Sequence, residues 1–238
     1  MPLKTTINYS PNFNIKKRSN KSIKFLIYHY TGMKSEFSAI KRLTNIQSEV
    51  ASHYLIKNNG EIIILVPDSY IAWHAGFSAW KKYKFLNQNS IGIEISNPGH
   101  QFGYKKFSLK QINSLIKLSR FLIKKYKINK KNILGHSDIA PLRKKDPGEN
   151  FPWEYLAKKN IGFWHNLKKN ELIKLRNKKC NKILKSKFFT NLFKIGYSKN
   201  YKKQNEKLLI KAFQRRFRPR LINGIIDQEC LLLSKNLI

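Results

Sequence analysis

Ile91-Gly-Ile-Glu-Ile-Ser96 alternates strictly, so that Ile91, Ile93 and Ile95 share one face of a strand and Gly92, Glu94 and Ser96 the other. The first face is built for a core. The second sets a carboxylate beside a glycine, which leaves room for something other than a packed side chain. Pro98-Gly99 ends the strand. Upstream, Lys24-Phe-Leu-Ile-Tyr-His-Tyr30 is apolar on both faces, as a central strand requires, with His29 at its end. Ser52-His-Tyr-Leu-Ile-Lys57 and Glu61-Ile-Ile-Ile-Leu-Val66 flank Asn58-Asn-Gly60 and read as a hairpin that adds two strands. Downstream, the capping box Ser108-Leu-Lys-Gln111 opens a helix in which Ile112, Leu115, Ile116, Ser119, Leu122, Ile123 and Tyr126 recur at helical spacing over five turns. A shorter helix is expected over 35–45. Strands interleaved with helices make an α/β fold.

The chain has 238 residues, 41% hydrophobic and 13% aromatic, which is enough to bury a sizeable core and excludes a wholly disordered chain. No apolar run approaches the roughly 18 residues of a membrane-spanning helix, so no transmembrane segment is expected. Forty-eight Lys plus Arg against thirteen Asp plus Glu give a net charge of +35, which favours anionic or envelope-associated partners. The excess is nearly all Lys, spread along the whole chain with abundant Asn and Ile, the pattern an A/T-biased genome produces without selection for a ligand. Lys lacks the bidentate fork of base recognition, so no specific nucleic-acid partner is expected. Cys180 and Cys230 stand far apart without metal-ligand spacing.

Residues up to about Asn20 are polar and read as an extended opening segment without a signal peptide. That N-terminus points to the cytoplasm, whereas export would place the protein in the envelope or periplasm. From Ile133 to Trp153 the chain reads as mostly irregular, with Gly135, Pro141, Pro147, Gly148 and Pro152, a length typical of functional loops. A Lys/Asn-rich stretch over 168–187 separates this from a small all-α unit. Its helices include Asn205–Phe217, with the stripe Leu208, Leu209, Ala212, Phe213 and Phe217, and a last one near 228–234. Two domains are therefore expected, 1–176 and 177–238, the second with an apolar stripe of its own. A monomer is expected.

Three polar residues sit beside breaks in apolar structure: His29 at a strand end, His136 after Gly135, and Asp146 before Pro147-Gly148. Two imidazoles and a carboxylate are a ligand set of catalytic zinc, with a fourth position left for water. Each also has a plain structural reading, as a hydrogen-bonded strand-end histidine or a turn aspartate. Lys144 lies two residues before Asp146, so in extended backbone both point to one side while Lys145 points away. Glu94 reads equally as an exposed strand residue, and Trp73 as core.

The combination Ile27-Tyr-His29-Tyr-Thr31, Ala51-Ser-His-Tyr-Leu-Ile-Lys57, Ala72-Trp-His74-Ala-Gly76, Ile91-Gly-Ile-Glu94-Ile95, Gly135-His136-Ser-Asp-Ile-Ala-Pro141 and Arg143-Lys-Lys-Asp146-Pro-Gly148 resembles the zinc-dependent N-acetylmuramoyl-L-alanine amidases, the type related to peptidoglycan recognition proteins and phage amidases. It runs in order from about residue 22 to 165. The resemblance implies a mixed central sheet flanked by helices, His29, His136 and Asp146 as ligands of Zn2+, Glu94 as acid/base and Lys144 as oxyanion stabiliser. Tyr30, Thr31, Trp73 and His74 would bind the substrate, a peptidoglycan or muropeptide. Lys207–Phe217 with Asn223–Glu229 is similar to the small helical peptidoglycan-binding domains appended to such amidases, which usually carry Asp at the Asn223 position and Thr at the Cys230 position. A recognition protein that binds peptidoglycan without cleaving it is the alternative within the resemblance. Such proteins usually lack the zinc ligands.

Overall fold

The structure is a computed structural model that describes residues 4–238. Its centre is a six-stranded mixed sheet. β1 (Thr5–Ile7), β3 (Phe25–Tyr30), β4 (Tyr54–Ile56), β5 (Ile62–Ile64), β9 (Ser90–Ile95) and β10 (Ile133–Gly135) lie in the order β1-β5-β4-β9-β3-β10. Only the hairpin pair β4 and β5 is antiparallel; all the other neighbours run parallel. Two short ribbons, β2 (Phe13–Asn14) with β6 (Ile71–Ala72) and β7 (Ala79–Trp80) with β8 (Tyr83–Lys84), lie outside this sheet. α1 (Glu36–Thr44) matches the short helix expected after β3.

Parallel register fixes which side chains stand together. Phe25, Ile27 and His29 of β3 pair with Ser90, Gly92 and Glu94 of β9, and Leu134 of β10 pairs with Ile27. Because side chains alternate, these residues share one face. One residue beyond β10, His136 comes level with His29 and opens the short helix α3 (His136–Ile139).

The opposite face of β3 and β9 carries Leu26, Tyr28, Ile91, Ile93 and Ile95, on which α2 (Leu109–Tyr126) lays Ile112, Leu115, Ile116 and Leu122. α2 starts where the capping box places it: the Ser108 hydroxyl accepts from the Gln111 amide at 3.2 Å and the Gln111 side chain accepts from the Ser108 amide at 2.9 Å. α4 (Trp153–Lys158) adds Trp153 and Leu156 to that core.

The lower part of the site face is covered by the C-terminal helices. Phe25, Ile27 and Leu134 belong to one apolar cluster with Phe188 and Leu192 of α6 (Lys182–Ile195), Leu209, Phe213 and Phe217 of α7 (Glu206–Phe217) and Leu233 of α8 (Gln228–Asn236). Leu209, Ala212, Phe213 and Phe217 of the α7 stripe thus pack in a core shared with the sheet, whereas Leu208, expected in that stripe, is exposed. The Lys/Asn-rich stretch is not a plain separator either, since α5 (Lys169–Leu175) and the start of α6 fall in it. Asn181 caps α6, and Leu184, Phe188 and Leu192 recur at helical spacing beneath its lysines. Likewise 133–153 carries β10, α3 and the start of α4 within what the prolines and glycines suggested was irregular chain.

A buried ion pair ties the helices to α3. Arg216, 2% exposed, donates to the Asp138 carboxylate, itself 1% exposed. Asp138 also accepts from the Gly135 amide at 2.8 Å and the Tyr197 hydroxyl at 3.0 Å. The guanidinium lies 4.0 Å from the Trp153 ring centroid and donates to the Ile133 carbonyl at 3.1 Å. Removing one partner of such a pair strands a buried charge. Arg216→Met is therefore expected to cost about 3–5 kcal/mol, measured as the urea unfolding free energy. Adding Asp138→Asn to Arg216→Met should recover part of the loss, and a cost under about 1 kcal/mol for the single variant would show the pair to be dispensable.

Candidate active site

Three ligand-type atoms converge at the C-terminal edge of the sheet. His29 Nδ1 lies 2.9 Å from His136 Nδ1 and 3.0 Å from Asp146 Oδ2, and His136 Nδ1 lies 3.0 Å from the same oxygen. A triangle with edges of this length can be capped by one ion at the bond lengths of about 2.0–2.2 Å that imidazole and carboxylate ligands use. All three residues are buried. His29 comes from the end of β3, His136 from the start of α3, and Asp146 from the turn after it, where the Asp146 carbonyl accepts from the Ser137 amide at 2.8 Å.

The protonation states suit a cation. Burial, reinforced by His136, holds the His29 imidazole down to about 4, so it is neutral at pH 7. Burial opposes ionisation of Asp146, but the adjoining His136 and His29 outweigh it and hold the carboxyl well below the usual carboxylate range. Two imidazoles and a carboxylate make a donor set that could hold a metal ion. The far nitrogens are occupied: His136 Nε2 donates to the Ala75 carbonyl at 3.2 Å, and His29 Nε2 faces His74 Nδ1 at 3.0 Å.

Glu94 stands beside His29 in register, on the floor of a cavity of about 1010 Å³. Its Oε2 is buried and meets no partner in the protein. Burial, then the Asp146 charge, push its carboxyl up to about 8, against the pull of Lys144. Lys144 lines the same cavity, as do Lys34, Arg42, Arg143 and Lys145. Among the described residues, the cavity joins an orphaned carboxylate oxygen, a three-atom ligand triangle and a cationic rim.

The expected substrate-binding residues divide. Tyr30 lines the cavity, its hydroxyl 2.9 Å from His100 Nδ1, and His100 in turn reaches Glu149 at 2.9 Å. Thr31 also lines it, although its hydroxyl donates to the Asn97 carbonyl at 3.1 Å. His74 borders the cavity, but both its ring nitrogens are engaged inside the protein. Trp73 is neither at the cavity nor in the core: its indole N–H donates to Asn14 Oδ1 of the adjoining β2–β6 ribbon. Alternation along the chain explains this, since neighbours in extended backbone point opposite ways and His74 takes the inward side. His100 and Arg42 went unnoticed in the sequence, because a lone histidine in a loop and one cation among forty-eight carry no local signal.

Residues 19–149 match the family profile of the N-acetylmuramoyl-L-alanine amidases, more than half of the chain. The chain belongs to that family. It is an enzyme of the class that hydrolyses the amide between N-acetylmuramic acid and L-alanine. Over 230 residues it is 36% identical to the N-acetylmuramoyl-L-alanine amidase AmiD of Escherichia coli, covering 91% of this chain and 82% of the relative. It is 42% identical over 113 residues to the 1,6-anhydro-N-acetylmuramyl-L-alanine amidase AmpD of Haemophilus influenzae, 47% of this chain and 59% of that one. Among solved structures, the E. coli AmiD complex with anhydro-N-acetylmuramic acid-L-Ala-D-γ-Glu-L-Lys superposes with a TM-score of 0.79 at 37% identity, over 91% of this chain and 88% of that one. AmpDh3 of Pseudomonas aeruginosa superposes with the same TM-score at 29% identity over 98% of both chains. The AmiD and AmpDh3 matches, at 91% and 98% of this chain, extend past residue 176 into the C-terminal helices.

The raised carboxyl of Glu94 has a stability consequence in protein stripped of metal. Its folded value lies near 8 and its ordinary value at 4.5, so the folded state prefers the protonated acid. Stability contributed by that proton is present below pH 4.5 and is lost as pH rises through 8. Glu94→Gln should therefore flatten the fall in melting temperature of the metal-free protein between pH 5 and about 8.5, measured against wild type. Identical slopes would place Glu94 in water.

Proposed function

We propose that the protein is a zinc-dependent amidase that cuts the lactyl–L-alanine amide of muropeptides, 1,6-anhydro forms included, with His29, His136 and Asp146 as zinc ligands, Glu94 as general base and acid, and Lys144 as the cation on the developing oxyanion. The observation that carries it is the three-atom triangle beside an unpartnered, buried carboxylate oxygen. A bound zinc supplies Lewis acidity, which brings the ionisation of water towards neutral pH and polarises the scissile carbonyl.

The protein residues divide the remaining work. Glu94 Oε2, free of intramolecular partners, is placed to take a proton from the attacking water and return it to the departing amine nitrogen. Burial raises its basicity and leaves it an effective acid in the second step. Lys144 donates to the carbonyl oxygen as negative charge grows there. Lys34, Arg42, Arg143 and Lys145 at the cavity edge attract the carboxylates of the stem peptide and hold the amide over the site. Tyr30, steadied by His100, presents an aromatic wall beside the same cavity. The substrate in the E. coli AmiD complex is an anhydromuropeptide, which supports the inclusion of that class. A protein that only binds peptidoglycan has no need of a ligand triangle with an acid/base beside it.

Purified protein should hold about one zinc per chain and release L-alanyl peptides from soluble anhydromuropeptides, identified by mass. Exhaustive chelation, His29→Ala, His136→Ala or Asp146→Ala should each remove most of that activity, since three protein ligands are the set of a catalytic site. Glu94→Gln should keep zinc and lose about a hundredfold or more in turnover. Lys144→Met should lower turnover more than it raises KM. Full activity after chelation would sink the metal assignment, and loss of zinc from Glu94→Gln would make Glu94 a ligand. Comparing sacculi with isolated muropeptides separates wall cleavage from turnover of released fragments.

A further inference from the structure

His74 is 6% exposed and sits against the strand face that carries the ligand triangle. Its place is cut to measure. In β9 the side chains on this face are Ser90, Gly92 and Glu94, and a Cβ on Gly92 would stand 2.5 Å from His74 Cγ, so the imidazole lies where a side chain at 92 would be. The backbone on either side is held as well, since Asn87 Oδ1 accepts from both the His74 amide at 3.1 Å and the Ala75 amide at 2.7 Å.

Hydrogen-bond bookkeeping along this face has one solution. The Ser90 hydroxyl donates its single hydrogen to the Leu86 carbonyl at 2.5 Å, so towards His74 Nε2, at 3.1 Å, it can only accept. His74 Nε2 therefore carries the hydrogen. A neutral imidazole has one N–H, and His74, packed between the rings of His29 and His53 without a carboxylate partner, is neutral. Its Nδ1 is then a lone pair, which accepts from His29 Nε2 at 3.0 Å. With its hydrogen on Nε2, His29 turns the lone pair of Nδ1 to the triangle. We infer that His74 and Ser90 are positioning residues that lock His29 as a metal ligand through Nδ1, in a relay running from His29 through His74 and Ser90 to the Leu86 carbonyl.

The next residue does the same for the second imidazole, because the Ala75 carbonyl accepts from His136 Nε2 at 3.2 Å. One dipeptide, His74-Ala75, thus orients both ligand histidines, one by a ring and one by a carbonyl. Orienting partners of this kind typically change metal affinity by 10–100-fold when removed. The inference rests on the metal reading above, but the tautomer of His74 exists without any metal.

Two measurements test it. In zinc-free wild-type protein, nitrogen-15 spectra of the histidine rings should show His74 protonated on Nε2 and bare on Nδ1. Zinc affinity, measured by competition with a chromophoric chelator, should fall about tenfold to a hundredfold in Ser90→Ala and in His74→Leu. His74→Asn, which keeps an acceptor near the position of Nδ1, should recover most of the loss, whereas a merely space-filling role would favour Leu over Asn. A hydrogen on His74 Nδ1, or unchanged zinc affinity in folded Ser90→Ala, overturns the relay. If a variant does not fold, the ring spectra of wild type decide alone. Wild-type protein that takes up no zinc sinks the metal reading, while its ring spectra still decide the relay.

Discussion

The parallel register of β3, β9 and β10 is the constraint on which the site depends. It sets His29 beside Glu94 and brings His136 level with them one residue past the end of β10. Parallel strands leave their carboxyl ends at one edge of the sheet, and there the chain can turn into loops and a short helix without breaking the ladder. Slipping β9 by one residue would exchange Glu94 for an isoleucine and drive a carboxylate under α2. The register is held because both faces are buried, one by α2 and the other by the C-terminal helices, so any slip costs apolar burial on two sides.

Where hydrophobic period and polar punctuation agreed, the fold was legible in the sequence. Alternation in 91–96, the capping box at Ser108 and the Asn-Gly turn at 59–60 each determine a local geometry, and the structure has them as read. The triangle joins residues 29, 136 and 146: breaks in apolar structure singled out each residue, but no local pattern shows that they converge, and that part came from the resemblance of the motifs. The covering of the sheet by α6 and α7 was hidden because an apolar stripe reports that a face is buried but not against what, and because lysines dominate the composition of 168–187. The relay role of His74 and Ser90 was equally hidden: a serine at the start of a strand has no signature until its neighbours in space are known.

With a net charge of +35 and only thirteen acidic residues, the placement of the acids matters more than that of the bases. Asp146 and Glu94 are at the site, and Asp138, Asp227 and Glu229 are buried against arginines. Asp68 accepts from Tyr54, Tyr126 and Lys125. These six of the thirteen carboxylates are thus at the site or buried, the other seven, Glu154 and Glu171 among them, are partly or fully exposed, and the cationic excess lies on the surface and the rim of the cavity. Salt should consequently weaken substrate capture more than it weakens the fold, whose buried ion pairs are shielded from solvent.

The pairing of Arg216 with Asp138 makes the two parts of the chain a matched set. Asp138 lies two residues from His136, on the same short helix, and its charge is answered by a side chain nearly eighty positions later. Replacing the C-terminal helices by a different helical region would therefore leave an unanswered carboxylate two residues from His136, even where every residue of the candidate site was kept. An incoming helix would have to bring an arginine at that height to keep Asp138 paired.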